Sequence, residues 1–141
     1  MSKKYKPTDY GIESHYQHWH GDRAEDTVGP FFYHMDGDRA RTAFRAEDRH
    51  ANTLDSIHGG ILMTFADYTL CLAANNGRNE SVVTVTQNCE FTAPAKSGDI
   101  IRGEAEVVRR GRSLVFVRSI LYSGDTPVMN ASAVVKLIKP K

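Results

Sequence analysis

The sequence predicts an α+β domain in which an antiparallel β-sheet wraps around one long central helix. Three observations carry this. Ile61–Ala74 is apolar on most sides of a 3.6-residue period and holds one charge, Asp67. Four later segments, about 81–92, 99–110, 113–123 and 127–138, are β-type, and in two of them apolar and polar residues alternate with period two. Two short strands precede the helix. A helix this apolar hides its whole surface only if the sheet curls around it.

The elements follow in order. Residues 1–28 read as a polar N-terminal extension, and 29–141 as the domain proper. The extension carries His15, Tyr16, His18, Trp19 and His20. The histidine spacing matches neither a helical i,i+4 pair nor a Cys/His frame, so no metal site is expected. A short amphipathic helix packing Trp19 on the domain is expected instead. Gly-Asp-Arg-Ala recurs at 21–24 and 37–40 without further similarity and is not a repeat. Gly29-Pro30 punctuates the chain. Phe31–Met35 and Arg41–Ala46 read as strands around an Asp36-Gly37 turn. The stretch Glu47–Ile57 is polar and irregular. The central helix runs from about Gly59 to Ala74 and stops at Asn75-Asn76-Gly77. Breaks at Lys96-Ser97-Gly98, Arg110-Gly111-Arg112 and Ser123-Gly124-Asp125 suit hairpins.

Composition limits the function. At 141 residues one domain is expected. With 40% hydrophobic and 25% charged residues the chain has the make-up of a soluble globular protein. A net charge of +1 gives no bulk electrostatic case for nucleic acid or a membrane surface. No apolar run reaches the ~18 residues of a spanning helix, and the first ten residues lack a signal-peptide core. A cytoplasmic location without nucleic-acid or membrane partners is expected. Cys71 and Cys89 read as ordinary core thiols.

Asp67 and the His58-Gly59-Gly60 run before it are the candidate site. A carboxylate in an apolar setting costs several kcal/mol unless partnered, so it needs either a bond or a task. The task would be to activate water or attack a carbonyl; the alternative is a structural acid bonded to Tyr68 or to threonine hydroxyls. A glycine pair at a helix start lets a ligand approach free N–H groups at the positive end of the dipole, which suits an oxyanion. The alternative is tight packing on the sheet. Gly59 and Asp67 are eight residues apart, about 12 Å along one helix. Both can serve one carbonyl only if they come from two subunits with antiparallel helices, hence an expected C2 dimer. Thr84, alternating with Thr86 and Asn88 on one strand face, could position water, or be a strand threonine without a task. Arg109, Arg110 and Arg112, with Gly111 and Ser113, could clamp a phosphate or form a solvated turn.

With these residues in view, the chain resembles the hotdog-fold thioesterases, specifically their PaaI-like branch (phenylacetate-degradation and hydroxybenzoyl-CoA thioesterases). The resemblance covers about Val28 to Ile138. It rests on His58-Gly59-Gly60, Asp67, Asn52 six residues before His58, Thr84, the run Glu90–Ala95 with Gly98-Asp99, and Gly111-Arg112-Ser113. It implies an acyl-CoA thioesterase releasing CoA and a carboxylic acid. Gly59 N–H with Asn52 would polarise the thioester carbonyl, and Asp67 from the partner subunit would activate water or act as nucleophile. Thr84 would orient that water, and His58 would shape the helix start. Gly60, Phe91 and Arg109–Ser113 would contact substrate. Self-association to a dimer or tetramer is implied, and no cofactor beyond the CoA of the substrate. The competing functions are a non-catalytic acyl-CoA-binding module and a hotdog dehydratase or hydratase. The second would need a principal catalytic His in surroundings that this sequence lacks.

Overall fold

The computed structural model of the protein describes residues 4–140. Two β-hairpin-like strands, β2 (Phe32–Asp36) and β3 (Arg39–Arg45), turn at Gly37, whose φ of +63° suits glycine. Helix α2 (Gly59–Asn75) follows a looped segment, then β4 (Ser81–Phe91), β5 (Ile100–Arg110), β6 (Leu114–Ser123) and β7 (Thr126–Ile138). Ahead of β2, Gln17–His18 forms a two-residue strand, β1, and Arg23–Val28 a short helix, α1. All strands join one antiparallel sheet in the order β1-β2-β3-β5-β6-β7-β4.

Helix α2 forms where its residues dictate. His58 caps the N-terminus, and Asn76 ends the helix in the left-handed region at φ 44°, donating its N–H to Leu72 O at 2.8 Å. Leu62, Phe65, Ala66, Thr69, Leu70 and Ala73 bury against strands β3 to β7. Each large apolar side chain contributes about 2 kcal/mol by leaving water. Phe31, Phe44, Phe65 and Tyr68 make the densest part of this core, with ring centroids 4.7–6.3 Å apart.

Four sequence expectations change. The sheet does not enclose α2 completely: Gly60, Met63, Thr64, Asp67 and Cys71, spaced three and four apart, form a stripe that the sheet leaves uncovered. Lys96-Ser97-Gly98 is not a hairpin, since β4 and β5 are not neighbours. The chain instead crosses to the far side of the sheet, where Ala46 and Gly98–Asp99 exchange backbone bonds at 2.8 Å and set β5 beside β3. Alternation reports which face is buried but not which strand is adjacent. The extension does hold a short helix, α1, but Trp19 is not on it: Trp19 follows β1, which pairs with β2, and is 46% exposed with its ring against Tyr33. Thr86 and Asn88 do not share a face with Thr84. A bulge at Val85 lets Thr84 pair with Val135 and Thr86 with Val134, so Thr84 faces the helix and the next two face outward.

Strand β5 approaches α2 closely at Gly103. A Cβ there would run into the Thr42 hydroxyl and come within 3.0 Å of the Thr69 hydroxyl, two groups that bond each other at 2.7 Å in the core. Gly103→Ala is expected to destabilise the fold by about 1–3 kcal/mol in urea unfolding, through overpacking and disruption of that buried bond.

Candidate active site

Three side chains meet on the uncovered stripe of α2. Thr84, turned inward by the bulge, donates a short hydrogen bond from its hydroxyl to Asp67 Oδ1. Cys71, one turn beyond Asp67, lies 3.8 Å from the same oxygen and 3.3 Å from Thr84 Oγ. Oδ2 has no protein partner among the described residues. The carboxylate is thus anchored by one oxygen, and it lines a cleft of about 570 Å³ with the other free to meet a ligand. Burial, with the Asp67 charge adding to it, pushes the Cys71 thiol up to about 12. A thiol so far from ionising is a donor and spacer here, and not a nucleophile. Sequence reasoning missed Cys71, although the i,i+4 spacing from Asp67 was there to be read.

The helix start is a separate cluster. His58 Nδ1 accepts the Gly60 N–H at 2.9 Å, which commits both groups to the cap. Gly59 N–H takes no partner among the described residues. The half-exposed Phe91 ring lies over Gly59, where a Cβ would come within 3.0 Å of it. Asn52 closes the preceding loop: its Oδ1 accepts the N–H groups of Leu54 and Ser56 at 2.9 and 3.1 Å, and its side-chain NH2 stays unengaged.

The arginine run splits. Arg110 Nη2 donates to Ala74 O at 2.9 Å, capping the C-terminus of α2, and burial lowers its pKa. Arg109 and Arg112 remain exposed; Gly111 N–H and Ser113 O hold the turn through Leu114 and Leu137. Within one chain the structure therefore joins Asp67, Thr84 and Cys71, joins His58, Gly59, Gly60 and Phe91, and keeps the arginines at the opposite helix end. From Gly59 to Ala74 is about 22 Å along the axis.

The cleft also takes in Trp19, Asp22 and Glu25 from the N-terminal segment, which sequence reasoning did not connect to the site. Asp22 caps α1 by accepting the Glu25 N–H at 3.0 Å. Burial, with the Asp22 carboxyl beside it, pushes Glu25 up to about 8.

Residues 54–129 match the family model described as Thioesterase superfamily, more than half of the chain. The chain belongs to the thioesterase superfamily. It is a thioester hydrolase of the hotdog fold. It is 34% identical over 115 residues to "Putative esterase PA0474" of Pseudomonas aeruginosa, covering 79% of this chain and 86% of that protein. It is 32% identical over 84 residues to acyl-coenzyme A thioesterase 13 of Mus musculus, covering 58% of this chain and 59% of that one. In fold it is similar to the E. coli PaaI protein from the phenylacetic acid degradation operon. The TM-score is 0.79 at 20% identity, over 86% of this chain and 88% of that one.

A folded Glu25 keeps its proton to about pH 8, whereas an unfolded one loses it near 4.5, so stability falls as pH rises between the two. Glu25→Gln has no such proton to lose. At pH 8 it is expected to be about 1–2 kcal/mol more stable than the wild type, after allowance for solvent screening, and at pH 4 the difference is expected to vanish. Chemical unfolding across that range reads the effect.

Proposed function

We propose that the protein is an acyl-CoA thioesterase working as a homodimer, each site combining Asp67 of one subunit with Gly59 N–H of the other. The observation that carries this reading is the half-anchored Asp67 carboxylate on the uncovered stripe of α2, in a cleft of its own. One oxygen is fixed by Thr84 and the other is free to take a proton from water or to attack the thioester carbon. Thr84 acts through the carboxylate and is therefore a positioning residue. Gly59 N–H and the unengaged amide of Asn52 are the donors for the oxygen of the attacked carbonyl.

The dimer follows from reach and from exposed surface. Gly59 and Asp67 of one chain lie about 12 Å apart along α2, too far to serve one carbonyl. Strand β4 is the last in the sheet, eleven residues long with a free edge and with Val83, Val85 and Phe91 about half exposed. A second copy pairing there antiparallel would extend the sheet and lay the two uncovered helix stripes together. Phe91 of one chain would then approach Arg109 and Arg112 of the other, the exposed cations left for the CoA phosphates. Arg110, spent on the helix end, is set aside.

Thiol release from a panel of acyl-CoAs tests the chemistry. Asp67→Asn is expected to lose about 10²-fold or more in kcat while remaining a folded dimer, and Thr84→Ala about tenfold. Equal and negligible rates for wild type and Asp67→Asn on every ester would leave only an acyl-CoA-binding module.

A second experiment tests the shared site. Gly59 is the first residue of α2 and the His58 backbone (φ −57°, ψ 133°) accepts a following proline, which removes the N–H; its ring also presses on Phe91, and Gly59→Ala, which keeps the N–H, is the control for that contact. Gly59→Pro is expected to keep its helix content and lose about 10²–10³-fold in kcat. Mixed with Asp67→Asn and refolded together, it is expected to recover about a quarter of wild-type activity, since about half the dimers are mixed and each then holds one intact site. No recovery in confirmed mixed dimers would place both groups in one chain's site.

A further inference from the structure

The cleft at Asp67 has a second end that hydrolysis itself does not use. It is built by Trp19, Asp22 and Glu25 of the N-terminal segment and by Tyr68 of α2. The first three lie before residue 54, outside the match to the family model. Tyr68 is 3% exposed, and its hydroxyl has no hydrogen-bond partner among the described residues. Tyr68 and Glu25 both line the cleft, and among charges that of Glu25 acts most on the Tyr68 hydroxyl. A buried hydroxyl without a partner costs about 1–3 kcal/mol, which a ligand reaching it would recover. Asp26 is not available to that ligand, because His18 Nε2 holds it at 2.6 Å.

The chemistry of this end selects its occupant. A hydrocarbon tail would strip water from two carboxyls, leave the hydroxyl without a partner and give nothing back. A carboxylate tail would face Asp22 and Glu25, with Asp67 further along. A primary ammonium offers three N–H donors and a positive charge, and the half-exposed Trp19 ring suits a cation as well. We propose that this end of the cleft holds a positively charged acyl group: an ammonium-bearing acyl chain whose amine meets Glu25, Asp22 and the Tyr68 hydroxyl beneath the Trp19 ring. The inference rests on the acyl-CoA thioesterase reading, with the thioester at Asp67.

A cation there favours the ionised form of Glu25, so binding releases the Glu25 proton to solvent. The groups acting on Glu25 are Asp22 and Asp26 of its own segment and Asp67 of α2; Tyr68 and Cys71 of α2 also feel its charge. Arg78 and Glu80 also line the cleft.

The test compares thiol release from 6-aminohexanoyl-CoA, heptanoyl-CoA and adipoyl-CoA, matched in length and differing in terminal charge. The wild type is expected to prefer the amino ester by about tenfold or more in kcat/KM over heptanoyl and to use adipoyl least. In Glu25→Gln the preference for the amino ester over heptanoyl is expected to collapse to within about threefold, mostly through KM. Tyr68→Phe is expected to lose part of the preference. Equal use of the amino and heptanoyl esters, or a preference for heptanoyl or adipoyl, would overturn the cation site and leave the hydrolase standing. If no ester is cleaved, the hydrolase reading fails, and the cation site is decided by calorimetric titration with hexylammonium chloride in two buffers of different ionisation enthalpy. Saturable binding with proton release at pH 7, absent in Glu25→Gln, would support it. No binding, or binding unchanged in the variant, would overturn it.

Discussion

An apolar seventeen-residue helix laid on one antiparallel sheet buries its underside and flanks but not its top, and the rest of the molecule depends on that shortfall. Gly60, Met63, Thr64, Asp67 and Cys71 occupy the uncovered line. Only there can the helix carry a carboxylate without the full cost of burying a charge, and only there can a substrate reach it. The same shortfall is what the proposed dimer would cover, pairing along the open β4 edge.

The bulge at Val85 converts this surface into a site. Without the extra residue, the regular alternation of β4 would carry the strand past α2 in a different phase after residue 84. With it, Thr84 points inward at the middle of the helix, while Gln87 and Cys89 point inward near its start, where Gln87 bonds Met63 O at 3.1 Å. One strand thus anchors the Asp67 carboxylate and braces the N-terminal half of α2. An irregularity costing one ladder position supplies an orientation that packing alone would not.

How far the sequence revealed this depends on the physics behind each part. The helix and the four long strands were legible because burial writes itself as periodicity, and Asp67 because the one charge in a largely apolar fourteen-residue segment contradicts its surroundings. The strand order was not legible, since alternation is the same whichever neighbour a strand has. The bulge was hidden because Thr84, Thr86 and Asn88 alternate perfectly in sequence; only pairing with β7 reveals the slip. Arg110 looks like Arg109 and Arg112 until register turns it onto Ala74 O. Glu25 had no signal at all: it sits in a polar run, and its burial comes from α1 packing beside α2.

That last case separates the two carboxyl groups of the cleft by what surrounds them. Asp67 receives a hydroxyl and lies beside a neutral thiol, both of them hydrogen-bond donors. Glu25 receives burial and another carboxyl, which penalise its charged form. An acid held neutral against its ordinary tendency stores an affinity for cations, released when one arrives and the proton leaves. The segment matched by the thioesterase family model supplies the first acid, and the residues ahead of it supply the second. In the proposed reading the acid that works on the bond lies within that match, whereas Trp19, Asp22 and Glu25, which with Tyr68 would hold the acyl end, lie ahead of it.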